Sequence, residues 1–250
     1  MTVRLFAFNC GWFQCKAGFF MEGSEDQTYV RSPVPAYLIE HPKGLALFDT
    51  GLGERNRREI ENRLPPGKFG LELFEDMDIA ARLRSIDVDP AKVDWIIASH
   101  LHNDHCGGMM FVPNATVIVQ SKEWAAAQAC EDPYVYNRID FETGHKVRAI
   151  DGELDLFGDG SVTIFPTHGH TAGHQSVRIK LPKGDVILAA DCCYLERSLD
   201  EMRLPGFTHD KEQAMETLKY LAAERAKGVR LFYGHDAKTW ADVPQEQAIS

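Results

Sequence analysis

The stretch S-H-L-H-N-D-H-C-G-G, residues 99–108, constrains this chain more than any other. It places His100, His102, Asp104 and His105 within six residues. The preceding Val93-Asp94-Trp95-Ile96-Ile97-Ala98 is a short apolar run rich in β-branched residues, of the kind that forms a buried strand. Gly107-Gly108 then lets the backbone turn tightly. The cluster is therefore expected at the carboxyl end of a strand, on a loop, where functional groups are commonly presented. A polar loop that happens to be histidine-rich is the bland alternative. Three imidazoles and a carboxylate so close together favour a metal site.

Four such groups from one loop cannot all bind one ion in good geometry. Histidines at i and i+2 can converge, which leaves Asp104 and His105 for a second position. Two ions about 3.5–4 Å apart would use the whole cluster and need further ligands. Three later strand ends offer candidates. Thr167-His168-Gly169-His170-Thr171-Ala172-Gly173-His174 follows a strand-like run at 162–165. Asp191 follows Val186-Ile187-Leu188-Ala189-Ala190, and His235 follows Leu231-Phe232-Tyr233-Gly234. Singly, such a histidine is often a hydrogen-bonding residue and such an aspartate a turn or N-cap residue. Beside the first cluster, their recurrence at strand ends favours ligation. Nitrogen and oxygen donors without thiolate suit zinc, with iron, manganese or cobalt as alternatives.

At 250 residues, 44% apolar and 26% charged, the chain suits one layered soluble domain over 1–250. Its formal charge of −10 disfavours nucleic acid and anionic membrane surfaces, both of which draw on clustered Lys and Arg. No apolar run approaches membrane-spanning length. Residues 1–8 read as a first strand without a small-residue cleavage site, not a signal peptide. Cys10, Cys15, Cys106, Cys130, Cys192 and Cys193 lack the spacing of a disulfide framework. They read as packing thiols in a reducing cytoplasm.

Periodicity predicts a hairpin over 34–40 and 45–49 that ends in Asp49-Thr50-Gly51. A charged, helix-compatible segment at 55–64 stops at Pro65-Pro66-Gly67, and a helix is expected over 75–86. Further on come a strand at 116–120, a helix at 122–130 and a second hairpin over 176–181 and 185–190. An amphipathic helix at 211–226 and a strand at 229–233 close the pattern. Strands followed by a helix, twice over, predict the α/β class: two mixed sheets packed together with helices outside, a four-layer αββα sandwich. Trp12, Phe13, Phe19, Phe20 and Met21 read as an irregular aromatic stretch, either packing under a loop or walling an apolar pocket.

Together, S-H-L-H-x-D-H, G-H-T-A-G-H-Q-S, D-x-x-Y at Asp191 to Tyr194 and G-H-D at Gly234 to Asp236 resemble the metallo-β-lactamase superfamily. The resemblance runs from Asp49-Thr50-Gly51 to His235-Asp236, and within the superfamily it points to the N-acyl homoserine lactonases that degrade bacterial quorum signals. It implies the αββα fold and two divalent metal ions. His100, His102 and His170 would hold one ion, Asp104, His105 and His235 the other, and Asp191 would bridge them. Asp49 is expected to orient a ligand from behind, and Tyr194 to face the lactone. Two positions depart from the pattern: Asn103 stands where phenylalanine is frequent and His168 where proline is frequent. That bears on substrate size more than on reaction type.

The implied chemistry is ring opening by an activated water. Two cations bring the pKa of a bridging water toward neutrality. Tyr194 would donate to the carbonyl oxygen as charge develops, and Asp104 would carry a proton to the leaving oxygen. The expected partner is a small lactone, bound by a monomer or homodimer. Another lactone or a thioester, in the manner of glyoxalase II, is the alternative on the same site. That enzyme usually adds a carboxyl-terminal helical domain, for which the segment after His235 leaves no room. A serine hydrolase is disfavoured because no G-x-S-x-G elbow is present. A metal-stabilised binding protein without turnover is the non-enzymatic alternative, and an open, water-bearing site argues against it.

Overall fold

Strands that are apolar on both faces must be buried between two layers. The computed structural model describes residues 2–53 and 69–249, so the predicted segment at 55–64 lies outside the described residues. The strands are β1 (Arg4–Lys16), β2 (Tyr29–His41), β3 (Gly44–Phe48), β4 (Phe69–Glu72), β5 (Trp95–Ile97), β6 (Thr116–Gln120) and β7 (Lys146–Ile150). After them come β8 (Leu154–Asp155), β9 (Val162–Pro166), β10 (Gln175–Leu181), β11 (Gly184–Ala190), β12 (Arg230–Tyr233) and β13 (Ala248–Ile249). The first sheet has the order β13-β1-β2-β3-β5-β6-β7, with β4 beside β1. It is antiparallel through β1, β2 and β3 and parallel from β3 to β7. The second sheet has the order β12-β11-β10-β9-β8 and is antiparallel except for β11 and β12.

Among the described residues three longer helices cover the outer faces: α1 (Ile79–Ser85), α2 (Ser121–Ala129) and α3 (Lys211–Ala226). The two-residue period of a strand sends Ile97 into the core between the sheets and its neighbour Ile96 under α1. Leu5, Ile39, Phe48 and Ile118 join Ile97 from the first sheet, against Ile164, Val177 and Leu188 of the second. On the far side, Ile187, Ala189 and Leu231 pack under Ala214, Leu218 and Leu221 of α3. Each of the larger side chains, valine, leucine, isoleucine or phenylalanine, contributes about 1.5–3 kcal/mol when fully buried. The result is the four-layer αββα arrangement that the element order predicts.

The differences are local. β1 continues through a bulge between Asn9 and Trp12, so Trp12 and Phe13 are strand residues and not part of an irregular stretch. Phe19 and Phe20 follow on a single 3₁₀ turn, Ala17–Phe20. Helix α1 begins later than the predicted 75, because the Asp78 side chain accepts from Ala81 N and caps it there. Among the described residues no helix is long and apolar enough to cross a membrane.

At one end of the sandwich, fully buried Gln175 ties the sheets together. Its backbone N–H donates to Ser99 O (2.9 Å), and its side-chain amide donates to Ala98 O (2.7 Å) and Ile118 O (3.1 Å). The carboxyl ends of β5, β9, β11 and β12 converge at this end, and each carries a predicted site residue.

Candidate metal centre

After β5 the chain does not remain a loop. His102 is the N-cap residue of a helical turn, Asn103–Cys106. Along that turn Asp104 and His105 fall into a group with His235, although the His105 ring still lies 4.1 Å from that of His100. Ligand atoms of His100, His102 and His170 lie within 4.8 Å of one another, as do those of Asp104, His105 and His235. A third such group, His100, His105 and Asp191, spans the two.

In the first group, His102 Nδ1 lies 2.9 Å from His100 Nε2 and 3.2 Å from His170 Nε2. In the second, Asp104 Oδ2 lies 3.5 Å from His235 Nε2 and 3.7 Å from His105 Nε2. Asp191 stands between them. Its Oδ2 is 3.5 Å from His170 Nε2 and 3.9 Å from His100 Nε2, while its Oδ1 is 3.2 Å from both His105 Nε2 and His235 Nε2. Gly234 permits this approach, since a Cβ there would lie 2.7 Å from Asp191 Oδ1.

Backbone and side-chain partners fix which nitrogen each ring turns inward. His235 Nδ1 donates to Pro33 O at 2.8 Å, and His100 Nδ1 meets Ser99 Oγ at 2.9 Å. Asp49, as expected, stands behind a ligand: its Oδ2 accepts from His105 Nδ1 at 2.8 Å and from Ser99 Oγ at 2.8 Å. Its Oδ1 accepts from Ser99 N at 2.7 Å. Such partners set tautomer and ring orientation.

The donor set fits cations. His105 Nε2 and Asp191 Oδ1 are buried without a hydrogen-bond partner of good geometry, which ordinarily costs about 1–3 kcal/mol per group. Burial pushes His102 down to about 4 and holds His100 and His170 well below the usual histidine range. Their lone pairs are thus free at neutral pH. Burial also opposes a charge on His105, but Asp191, Asp104 and Asp49 outweigh it and raise that group well above its usual value. Carboxylates that draw a proton onto His105 would draw a metal ion in its place.

Aromatic residues wall the site. The Tyr194 ring lies 5.3 Å from His235, 5.6 Å from His170 and 5.5 Å from Phe20, and stacks with Phe19 at 6.5 Å. Burial and the nearby carboxylates Asp191 and Asp104 keep its hydroxyl protonated, far above its usual pKa. Phe13 lies 5.8 Å from His235, and Phe207, 41% exposed, lies 5.5 Å from His102. Of the aromatic stretch, Phe20 and Met21 are buried, and Phe13 and Phe19 pack half-buried against the cluster of Phe20 and Tyr194 beside the site. Trp12 packs away from the site, against Val34, Leu52, Leu73 and Met77, with the Arg31 guanidinium 4.2 Å from its ring.

Of the remaining motif residues, His168 turns to His174 O (3.2 Å) and His174 to Thr167 Oγ1 (2.9 Å), so both stand outside the ligand groups. Asn103 opens the helical turn, its carbonyl accepting from Gly107 N at 2.9 Å. Glu123, fully buried beside the first group, is a residue that motif reasoning missed. Nothing in S-K-E-W distinguishes it from a solvated glutamate in a first helical turn.

Residues 29–235 match the family described as the metallo-beta-lactamase superfamily. The chain is 33% identical to the N-acyl homoserine lactonase AttM of Azorhizobium caulinodans, over 95% of each chain. It superposes with a TM-score of 0.89 and 27% identity on an AiiA variant from Bacillus thuringiensis with N-decanoyl-L-homoserine bound at the active site, covering both chains fully. An N-acyl homoserine lactone hydrolase with its product N-hexanoyl-L-homoserine at the catalytic metal centre matches at a TM-score of 0.88 and 26% identity, again over both full chains.

Proposed function

We propose that this chain, which belongs to the metallo-β-lactamase superfamily, is a metal-dependent hydrolase that opens the lactone ring of N-acyl homoserine lactones. The observation that carries the reading is the division of Asp191, with Oδ2 toward His100 and His170 and Oδ1 toward His105 and His235. One carboxylate shared between two imidazole groups is what a pair of cations requires. We assign His100, His102 and His170 to one ion, Asp104, His105 and His235 to the other, and Asp191 to both. The nitrogen and oxygen donors favour zinc. Lactonase relatives, two of them with acyl homoserine products bound, support the substrate.

When bound, the two ions supply Lewis acidity toward the ester carbonyl and a water acidic enough to react at neutral pH. The chain's own residues do the rest. Tyr194, kept protonated by burial, donates to the carbonyl oxygen as negative charge develops. The Asp104 side chain, 14% exposed at the site mouth, takes the proton of the attacking water and returns it to the leaving alkoxide. Water thus adds across the ring C–O bond, giving the free hydroxyl and the acyl homoserine acid, which releases its proton to solvent as the carboxylate. Phe13 and Phe19 offer the acyl chain an apolar wall.

The 1–250 chain acts as one domain in this reading, on a small lactone, as monomer or homodimer. Six free thiols favour a reducing cytoplasm. The test is a panel of acyl homoserine lactones, other lactones and thioesters against the zinc-loaded protein, with the ring-opened acid measured by chromatography. Turnover of the homoserine series is expected. Equal rates on unrelated thioesters, with none on that series, would overturn the substrate.

A further inference from the structure

Glu123 lies on the first turn of α2 and is fully buried. Its Oε1 accepts from Leu101 N (3.1 Å) and Tyr136 Oη (3.0 Å), and its Oε2 from Thr171 Oγ1 (2.7 Å) and Gly173 N (3.0 Å). Four donors occupy every lone-pair site of a carboxylate, so the group accepts from all four only when ionised. Burial opposes that charge and raises the carboxyl above its usual range, while the four donors and the helix N-terminus favour it.

Three of the four donors belong to segments that carry an imidazole of the first group, and the fourth packs against one. Leu101 separates His100 from His102, the Tyr136 ring packs 5.4 Å from His102, and Thr171 and Gly173 follow His170. Gly173 is pressed onto α2 so closely that a Cβ would lie 2.1 Å from Glu123 N. The second group has other supports, Asp49 behind His105 and Pro33 O behind His235. Asp49 reaches His100 only through Ser99.

We infer that Glu123 is a positioning residue for one ion only. It clamps the His100–His102 segment of the first sheet to the His170 loop of the second, and so governs affinity at the first position. The inference rests on the two-ion reading above. In Glu123→Gln the amide oxygen replaces only one of the two carboxylate oxygens and its NH₂ faces the other donor pair, so either the Leu101 or the Gly173 backbone N–H loses its partner. Outer-shell losses of this kind weaken metal binding about 10–100-fold.

Metal-free protein is titrated with Co²⁺, following its visible absorption, with thermal unfolding of the metal-free variants as a control. Wild type is expected to take two equivalents. If it does not, the two-ion reading fails and this inference with it, irrespective of any Glu123 variant. Glu123→Gln should weaken one equivalent about 10–100-fold and leave the other within about twofold. Added to His235→Ala, which retains the first position, the change should recur in full; added to His102→Ala it should vanish. Thr171→Val, which deletes one donor, should move affinity in the same direction by less and keeps the test available if Glu123→Gln does not fold. Equal weakening of both equivalents, or of neither, overturns the assignment.

Discussion

Asp49→Asn removes a charge and little else. Asp49 sits at φ 59, a left-handed conformation that asparagine tolerates better than other non-glycine residues, so the backbone can stay. The amide oxygen can take the place of Oδ1 and accept from Ser99 N, as Oδ1 does at 2.7 Å. The NH₂ group then faces Ser99 Oγ and His105 Nδ1, both 2.8 Å from Oδ2 in the wild type. The opposite flip would set NH₂ against the Ser99 N–H, donor against donor. With a donor in front of Nδ1, His105 keeps a hydrogen bond only by moving its proton to Nε2, the atom 3.2 Å from Asp191 Oδ1. A proton then stands where the second ion needs a lone pair. A hydrogen bond to a charged group contributes about 1.5–3 kcal/mol. At about 1.36 kcal/mol per decade its loss corresponds to roughly a 10- to 150-fold weaker second ion. Metal content after dialysis against graded chelator, with zinc competition for affinities, reads this directly. One equivalent should become labile while the protein stays folded and the first ion stays bound. A folded Asp49→Asn protein that holds both ions at wild-type affinity would refute the tautomer argument.

Tyr194→Phe keeps the ring contacts with His235 and His170 and deletes only the hydroxyl. Loss of one donor to the developing oxyanion should lower kcat about 10²–10³-fold, with KM and the metal content of two ions little changed. An unaltered kcat would remove Tyr194 from the chemistry. Chelation should destabilise the fold, because each ion joins ligands from both sheets. An ion present at 100 times its Kd stabilises by about 2.7 kcal/mol. Two ions give about 5 kcal/mol, or roughly 10–20 °C in Tm for a chain of this size. Calorimetry with metal content checked in parallel would contradict this if Tm did not move after complete removal.

What could be read from residues alone was whatever depended on local pattern. His100, His102, Asp104, His105, Asp191 and His235 were legible because each follows an apolar run, and a strand's carboxyl end presents its next residues outward. Helix α3 matches the predicted 211–226, where Asp210 caps the start by accepting from Glu212 N and Gln213 N. The strand over Trp12 and Phe13 was hidden because the bulge after Asn9 breaks the two-residue period. β7 escaped notice because its K-V-R-A-I is mostly exposed at a sheet edge. Glu123 was illegible for a different reason: its partners Leu101 and Thr171 belong to loops of different sheets and meet only when those sheets pack.

The same dependence governs the proposed metal site as a whole. His100 and His102 leave the first sheet after β5 and meet His170, which leaves the second after β9. Asp104 and His105 meet His235, which follows β12. Neither sheet carries all the residues proposed to hold either ion, so a site of this composition cannot form before the sandwich closes. Closing it buries these imidazoles and carboxylates together, and without a cation to join them His105 Nε2 and Asp191 Oδ1 lack a partner of good geometry, which counts against the closed state. Metal affinity and sheet packing are therefore two sides of one equilibrium. Substitutions at the inter-sheet contacts, Gln175 above all, should alter ion binding without touching a ligand.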